Sequence, residues 1–163
     1  MKNKILGTVL LAGACFSSAW ATDMGVIDVQ AVFRDSTQVK KINADLEKQF
    51  APQKKDLQAM NTKLQDEIKD LNKNGSVMDD AKKNALKSSI QAQGKALHDK
   101  QMKFQQDLFT AQNTAMTKFM KQVQGTVAKV AKSKGLDIVV AKNAVLYSKD
   151  KMDVTSIVLK KVN

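Results

Sequence analysis

In 163 residues the chain has one cysteine, one proline, one histidine, one tryptophan and one tyrosine. The single thiol, Cys15, leaves no intramolecular disulfide, so the fold must be held by burial alone. The only histidine, His98, sits among Lys95, Asp99 and Lys100 and reads as a solvated surface group rather than a catalytic one. No phosphate-binding glycine loop, metal-spaced cluster or nucleophile elbow occurs, which argues against an enzyme and implies no cofactor. Aromatic residues are 5% of the total, and no apolar run is long enough to span a bilayer.

What is present begins with an address. Lys2 and Lys4 form a positive start, Ile5 to Phe16 an apolar stretch and Ala19-Trp20-Ala21 a small-residue cleavage site, so residues 1–21 read as a cleaved secretory signal. A lipoprotein signal acylated at Cys15 is the competing reading; it would place Ala12 where a large aliphatic residue is expected. Without residues 1–21 the chain keeps 25 basic and 16 acidic residues, and no cysteine. Nineteen of those basic residues and ten of the acids lie between Lys40 and Lys134. A lysine excess of this kind has three readings: a solvated helix face, nucleic-acid binding, or long-range attraction of acidic chains and anionic surfaces. A secreted chain rarely meets nucleic acid, and Phe50, Phe104, Phe109 and Phe119 fall at core spacing instead of between basic surface positions. Export therefore favours the third reading.

Periodicity divides the chain into a head and an arm. Met24 to Val29 alternates like a short strand, with Ile27 and Val29 on one face and Val26 on the other. A helical pattern starts at Ala31, Val32 and Phe33 and continues through Val39, Ile42, Leu46, Phe50, Leu57, Met60, Leu64, Ile68 and Leu71. Pro52 lacks the amide that would bond to the Lys48 carbonyl, so a kink in a continuous helix is expected, with a break into two helices as the alternative. Asn72 to Ser76 carries turn chemistry, with Gly75 expected left-handed and Ser76 with Asp79 resembling a capping box. The paired acids Asp66-Glu67 and Asp79-Asp80 read as helix-surface and helix-start residues rather than a cation site. A return helix of roughly 55 residues, about 80 Å long, runs from near Asp79 to Lys134. Its apolar residues are sparse from Leu86 to Phe104 and crowded from Leu108 to Ala131, predicting a hairpin firm at its base and loose at its tip.

Gly135 ends that helix, and two short strands, Ile138 to Val140 and Ala144 to Tyr147, are expected before a last helix carrying Ile157, Val158 and Val162. The fold class is α+β: a small β-rich head from residues 22–38 and 135–163, and a long antiparallel helical-hairpin arm from residues 39–134 with its tip near 73–79. At most three strands are near the lower limit of independent stability, and their open edges invite pairing. Several copies sharing one head is the economical solution. The residues expected to form that shared seam are Val26, Ile27, Val29, Ile138, Val139, Val140, Val145 and Leu146. On the arm, Met60, Leu64, Phe104 and Met116 are candidates for contact with a bound chain, and equally for intrachain core.

Two segments carry a family resemblance: GVIDVQAVF, Gly25 to Phe33, and LDIVVAKNAVLYSKDKMDVTSIVLKKV, Leu136 to Val162. The chain resembles the Skp (OmpH-like) family of periplasmic chaperones. That resemblance implies a homotrimer with one shared head and three tentacles around a cavity. It further implies a periplasmic, ATP-independent holdase for unfolded outer-membrane β-barrel proteins. Some members of the family associate with lipopolysaccharide, which implies anionic lipid or lipopolysaccharide surfaces as further partners, although no residue motif here carries such a site. The alternatives are a histone-like nucleic-acid-binding protein and a coiled-coil spacer of the envelope.

Overall fold

A computed structural model describes residues 22–163; residues 1–21, on which the expected secretory signal and Cys15 fall, lie outside the described residues. Strand β1 (Met24–Ile27) is followed by helix α1 (Val29–Asp35), the outgoing arm helix α2 (Thr37–Asn74) and the return helix α3 (Asp80–Lys134). Strand β2 (Ile138–Ala141) and helix α4 (Thr155–Val162) complete the chain. Val29 is therefore helical, not a strand residue. The Asp28 carboxylate accepts a 2.8 Å hydrogen bond from the Ala31 amide, and this cap starts the helix one residue after Asp28.

Between α1 and α2 the expected continuous pattern is interrupted at Ser36. Its backbone is extended, its amide bonds to the Val32 carbonyl at 3.1 Å, and its hydroxyl accepts from the Gln38 amide at 3.1 Å. One buried serine thus ends one helix and caps the next. Asn163, just beyond α4, accepts from both the Ser36 hydroxyl (2.9 Å) and the Thr37 amide (2.8 Å). Asn163 is thereby tied to the root of the arm. Ser36→Ala is expected to cost about 1–2 kcal/mol in urea denaturation, and a loss below about 0.3 kcal/mol would mean that water replaces the cap.

Helix α2 passes through Pro52 without a break. At the tip, Gly75 is right-handed (φ −62°), not left-handed. Glycine is needed there for a different reason: a Cβ would run into the Leu71 carbonyl oxygen. Asp79, rather than Ser76, caps α3, its carboxylate accepting from the Lys82 amide at 2.8 Å. Gly135 does end α3 in the left-handed conformation (φ 67°), which glycine adopts without steric cost.

The strands β1 and β2 pair in parallel, Met24 opposite Ile138 and Ile27 opposite Ala141. Parallel strands need a long crossover, and here the whole hairpin is that crossover. The second expected strand, Ala144 to Tyr147, does not form: Lys142–Ala144 is a 3-10 turn, and Val145 and Leu146 lie outside any strand. The other edge of β1 is taken instead by the segment before α4, through a bridge between Val26 and Asp153 and a 2.8 Å bond from the Val154 amide to the Val26 carbonyl. The sheet is covered by α1, α4 and the base of α3. Ile27, Val32, Phe119, Val123, Val130, Val154, Val158 and Val162 form the core, with Phe33 edge-on to Phe119 at 5.0 Å.

Candidate functional site

The arm is the largest surface, and its cross-links thin out towards the tip. Near its middle Phe50 of α2 meets Phe104 of α3 edge-on at 5.8 Å. An exposed ion pair, Asp56–Lys100 at 2.6 Å, crosses the seam close by. Further out Leu64 and Leu97 are the last buried side chains of the seam. Beyond them the helices are joined by a polar node: the Glu67 carboxylate accepts from the Ser89 hydroxyl at 3.0 Å and the Gln93 amide at 2.6 Å, with Lys63 at 3.8 Å. The bond from Gln93 holds the Glu67 carboxyl below its usual range, against the opposing effect of burial, with Ser89 and Lys63 assisting.

A carboxyl whose acidity is raised by folding stabilises above its unfolded pKa and loses that contribution as pH falls through the folded value. Amide protection around Leu64 and Leu97 is therefore expected to be constant near neutrality and to fall once the pH drops below the ordinary glutamate range. Glu67→Gln is expected to lower protection at neutral pH and to abolish that acid step. An acid step of unchanged size in the variant would assign it to another carboxylate.

The sequence candidates divide by burial. Val26 and Ile27 are buried in the chain's own head, Val29 and Val139 pack against that core, and Val140 and Val145 are half-buried. Ile138 and Leu146 are exposed, Leu146 fully so at 108%. Sequence reasoning missed Met24 and Tyr147, the latter 80% exposed, which add apolar surface at the head. On the arm Leu64 is buried, Phe104 is engaged by Phe50, and Met60 and Met116 are half-buried. The exposed apolar side chains there are Met102 (55%) and Phe109 (62%), with Val77 at the tip. Only a comparison of helix faces, not a search for apolar spacing, would have separated these from the seam.

Charge is also unevenly placed. From Leu108 to Leu136 there are five lysines, 118, 121, 129, 132 and 134, and no acid. None of the five takes part in an ion pair among the described residues. No group of three or more potential metal ligands occurs among the described residues, and no described helix is long and apolar enough to cross a membrane. The chemistry on offer is a basic, adaptable surface on a long lever.

Comparison with known proteins agrees with this architecture. Residues 23–162 match the family described as outer membrane protein (OmpH-like). The chaperone protein Skp of Pectobacterium atrosepticum is 31% identical over 157 residues, covering 96% of this chain and 94% of that protein. Skp of Escherichia coli K12 is 31% identical over 163 residues, covering 99% of each chain. The crystal structure of a chain described as an OmpH-like outer membrane chaperone, from Caulobacter crescentus CB15, superposes with a TM-score of 0.77 at 16% identity, over 99% of this chain and 89% of that one. With a match that spans both strands, both arm helices and all of α4, the chain belongs to the OmpH-like outer membrane protein family.

Proposed function

We propose that the protein is an ATP-independent periplasmic holdase, a trimer that captures unfolded outer-membrane β-barrel proteins between its arms and keeps them from aggregating. The observation that carries this reading is the run of five lysines and no acid from Leu108 to Leu136 on a long helix, none of the five being ion-paired among the described residues. A surface of one sign draws in an oppositely charged chain without demanding a particular sequence. Three arms around one volume then retain it by effective concentration, although each contact is weak. Dilution of a urea-unfolded barrel protein into buffer without nucleotide tests this directly. Light scattering is expected to stay low at about one trimer per client, and aggregation at the rate of buffer alone would overturn the proposal.

Assembly is expected to use the exposed apolar groups of the head, Ile138, Leu146 and Tyr147, together with the free edge of β2. In a single chain Leu146 and Tyr147 are too exposed to contribute to its own core. Changing both to aspartate is therefore expected to leave helix content intact while shifting the sedimenting species from three copies to one. A double variant that remains trimeric would place the seam elsewhere.

A further inference from the structure

Between β2 and α4 the chain passes through a loop, residues 143–152, whose middle carries the exposed side chains of Leu146 and Tyr147. Its order comes from its ends. At the first end the Val145 amide donates to the Lys142 carbonyl at 3.2 Å. At the second the Met152 and Asp153 amides donate to the carbonyls of Lys149 and Asp150 at 2.9 and 3.0 Å. Each end is a single 3-10 turn, the kind of short connector that fixes its own residues and little beyond them.

One side-chain pair joins the two ends. β2 lies on one edge of β1, while Asp153 bridges to Val26 on the other edge; two strands that flank a third stand about 10 Å apart. Lys142, the residue after β2, reaches across this gap and donates to Asp153 Oδ2 at 3.0 Å. The other carboxylate oxygen, Oδ1, accepts from the Thr155 amide at 2.8 Å, and the Thr155 hydroxyl accepts from the Asp28 amide at 2.8 Å. Asp153 is thus fixed to the start of α4 and, through Thr155, to the start of α1. The bond to Asp153 and its charge raise the Lys142 pKa against slight desolvation, and Asp28 and Asp150 add to the effect. An exposed ion pair adds little to the folding of a head that has its own core. It matters more to a loop, because closing the ends removes conformations that the middle would otherwise sample. A surface ordered before docking also binds more tightly than one that must be ordered during it.

We infer that Lys142 and Asp153 form a clasp across the head that holds residues 143–152, with Leu146 and Tyr147 at their middle, in the shape that meets a second copy of the chain. The inference rests on the reading of Leu146 and Tyr147 as assembly groups and makes Lys142 a positioning residue for that seam. It is tested in the full mature protein by ultracentrifugation with fluorescence detection, which follows assembly down to high dilution. Lys142→Met removes the charge, keeps the length of the side chain and leaves the bonds of Asp153 Oδ1 in place. Lys151→Met is the control, since Lys151 lies in the same loop, is exposed and takes part in no ion pair among the described residues. Lys142→Met is expected to leave helix content unchanged and to lower the constant for trimer formation about tenfold, because a loss of about two- to threefold in each of three chains multiplies. Lys142→Arg, which keeps the pair, and Lys151→Met are both expected to stay within about twofold of the wild type. Equal constants for the wild type and Lys142→Met would overturn the clasp and leave assembly through Leu146 and Tyr147 standing. An equal loss in Lys151→Met would also overturn it, by assigning the effect to net charge, as would an arginine variant as weak as the methionine one. A wild type that stays a single copy at every concentration would overturn the clasp and the assembly reading together.

Discussion

Phe119→Ala is expected to cost about 3–5 kcal/mol of stability, the largest loss of any single truncation in the chain. The ring is 1% exposed and sits where β1, α1 and α4 meet the base of α3. It is also the partner of Phe33 in the edge-on pair. Truncation opens a cavity that small valines on three sides cannot fill. Domains of this size are stable by about 5–15 kcal/mol, so the variant loses a large share of its margin. Urea titration followed by circular dichroism checks this, with wild type and variant compared at one protein concentration. Phe109→Ala is the control: its ring is 62% exposed, and its expected cost is within about 0.5 kcal/mol. A Phe119→Ala cost below about 1 kcal/mol would mean that the head core is not what anchors the arm.

The long helices were legible in the sequence wherever the signal was local and sustained. The return helix ran through a single sustained pattern, with Gly135 as its stop, and α3 lies at Asp80–Lys134. Pro52 did not break α2, because a helix this long loses one backbone bond and keeps the rest. Local alternation misled where a cap competed with it: Val26-Ile27-Asp28-Val29 alternates like a strand, yet the Asp28 carboxylate turns the chain into α1 at Val29. The Ser36 break carried its own signal, a serine ahead of Thr37-Gln38-Val39, but it lay inside an apolar period that continued on both sides. Its decisive partner, Asn163, is 127 residues away, and no window along the sequence contains both.

Ala144 to Tyr147 shows the opposite limit. An apolar run bounded by turn residues predicts a strand, but pairing needs a free edge in the right place. The second edge of β1 is occupied by Asp153 and Val154, and the 3-10 turn at Lys142–Ala144 follows β2 directly, ahead of the rest of the run. The run is left with Leu146 and Tyr147 on the surface, a chemical pattern that period alone cannot distinguish from a buried one. On the arm the same ambiguity separated Leu64 and Phe104, which close the hairpin, from Met102 and Phe109, which do not. Burial is set by where the second helix lies, and α2 meets α3 along only one side.

Changing Lys118, Lys121, Lys129 and Lys132 together to glutamine is expected to slow client capture about tenfold at low ionic strength while changing release little. All four are exposed and outside any ion pair among the described residues, so the substitution removes long-range field without removing a local bond. The screening length is about 30 Å at 0.01 M salt and about 3 Å at 1 M. An acidic chain therefore senses these lysines from afar only in the dilute case. Wild-type capture is expected to fall with added salt until it meets the rate of the variant, which itself depends only weakly on salt. Stopped-flow mixing with a labelled, urea-unfolded barrel protein measures both rates. Lys69, Lys82, Lys100 and Lys103 provide the comparison, since each already faces a carboxylate at 2.6–3.5 Å and contributes less net field. If neutralising that second set slows capture as much as the first, total charge governs the encounter and its placement on α3 does not. If neither set alters the rate at low salt, capture is a collision of apolar surfaces, and the basic arm has another purpose.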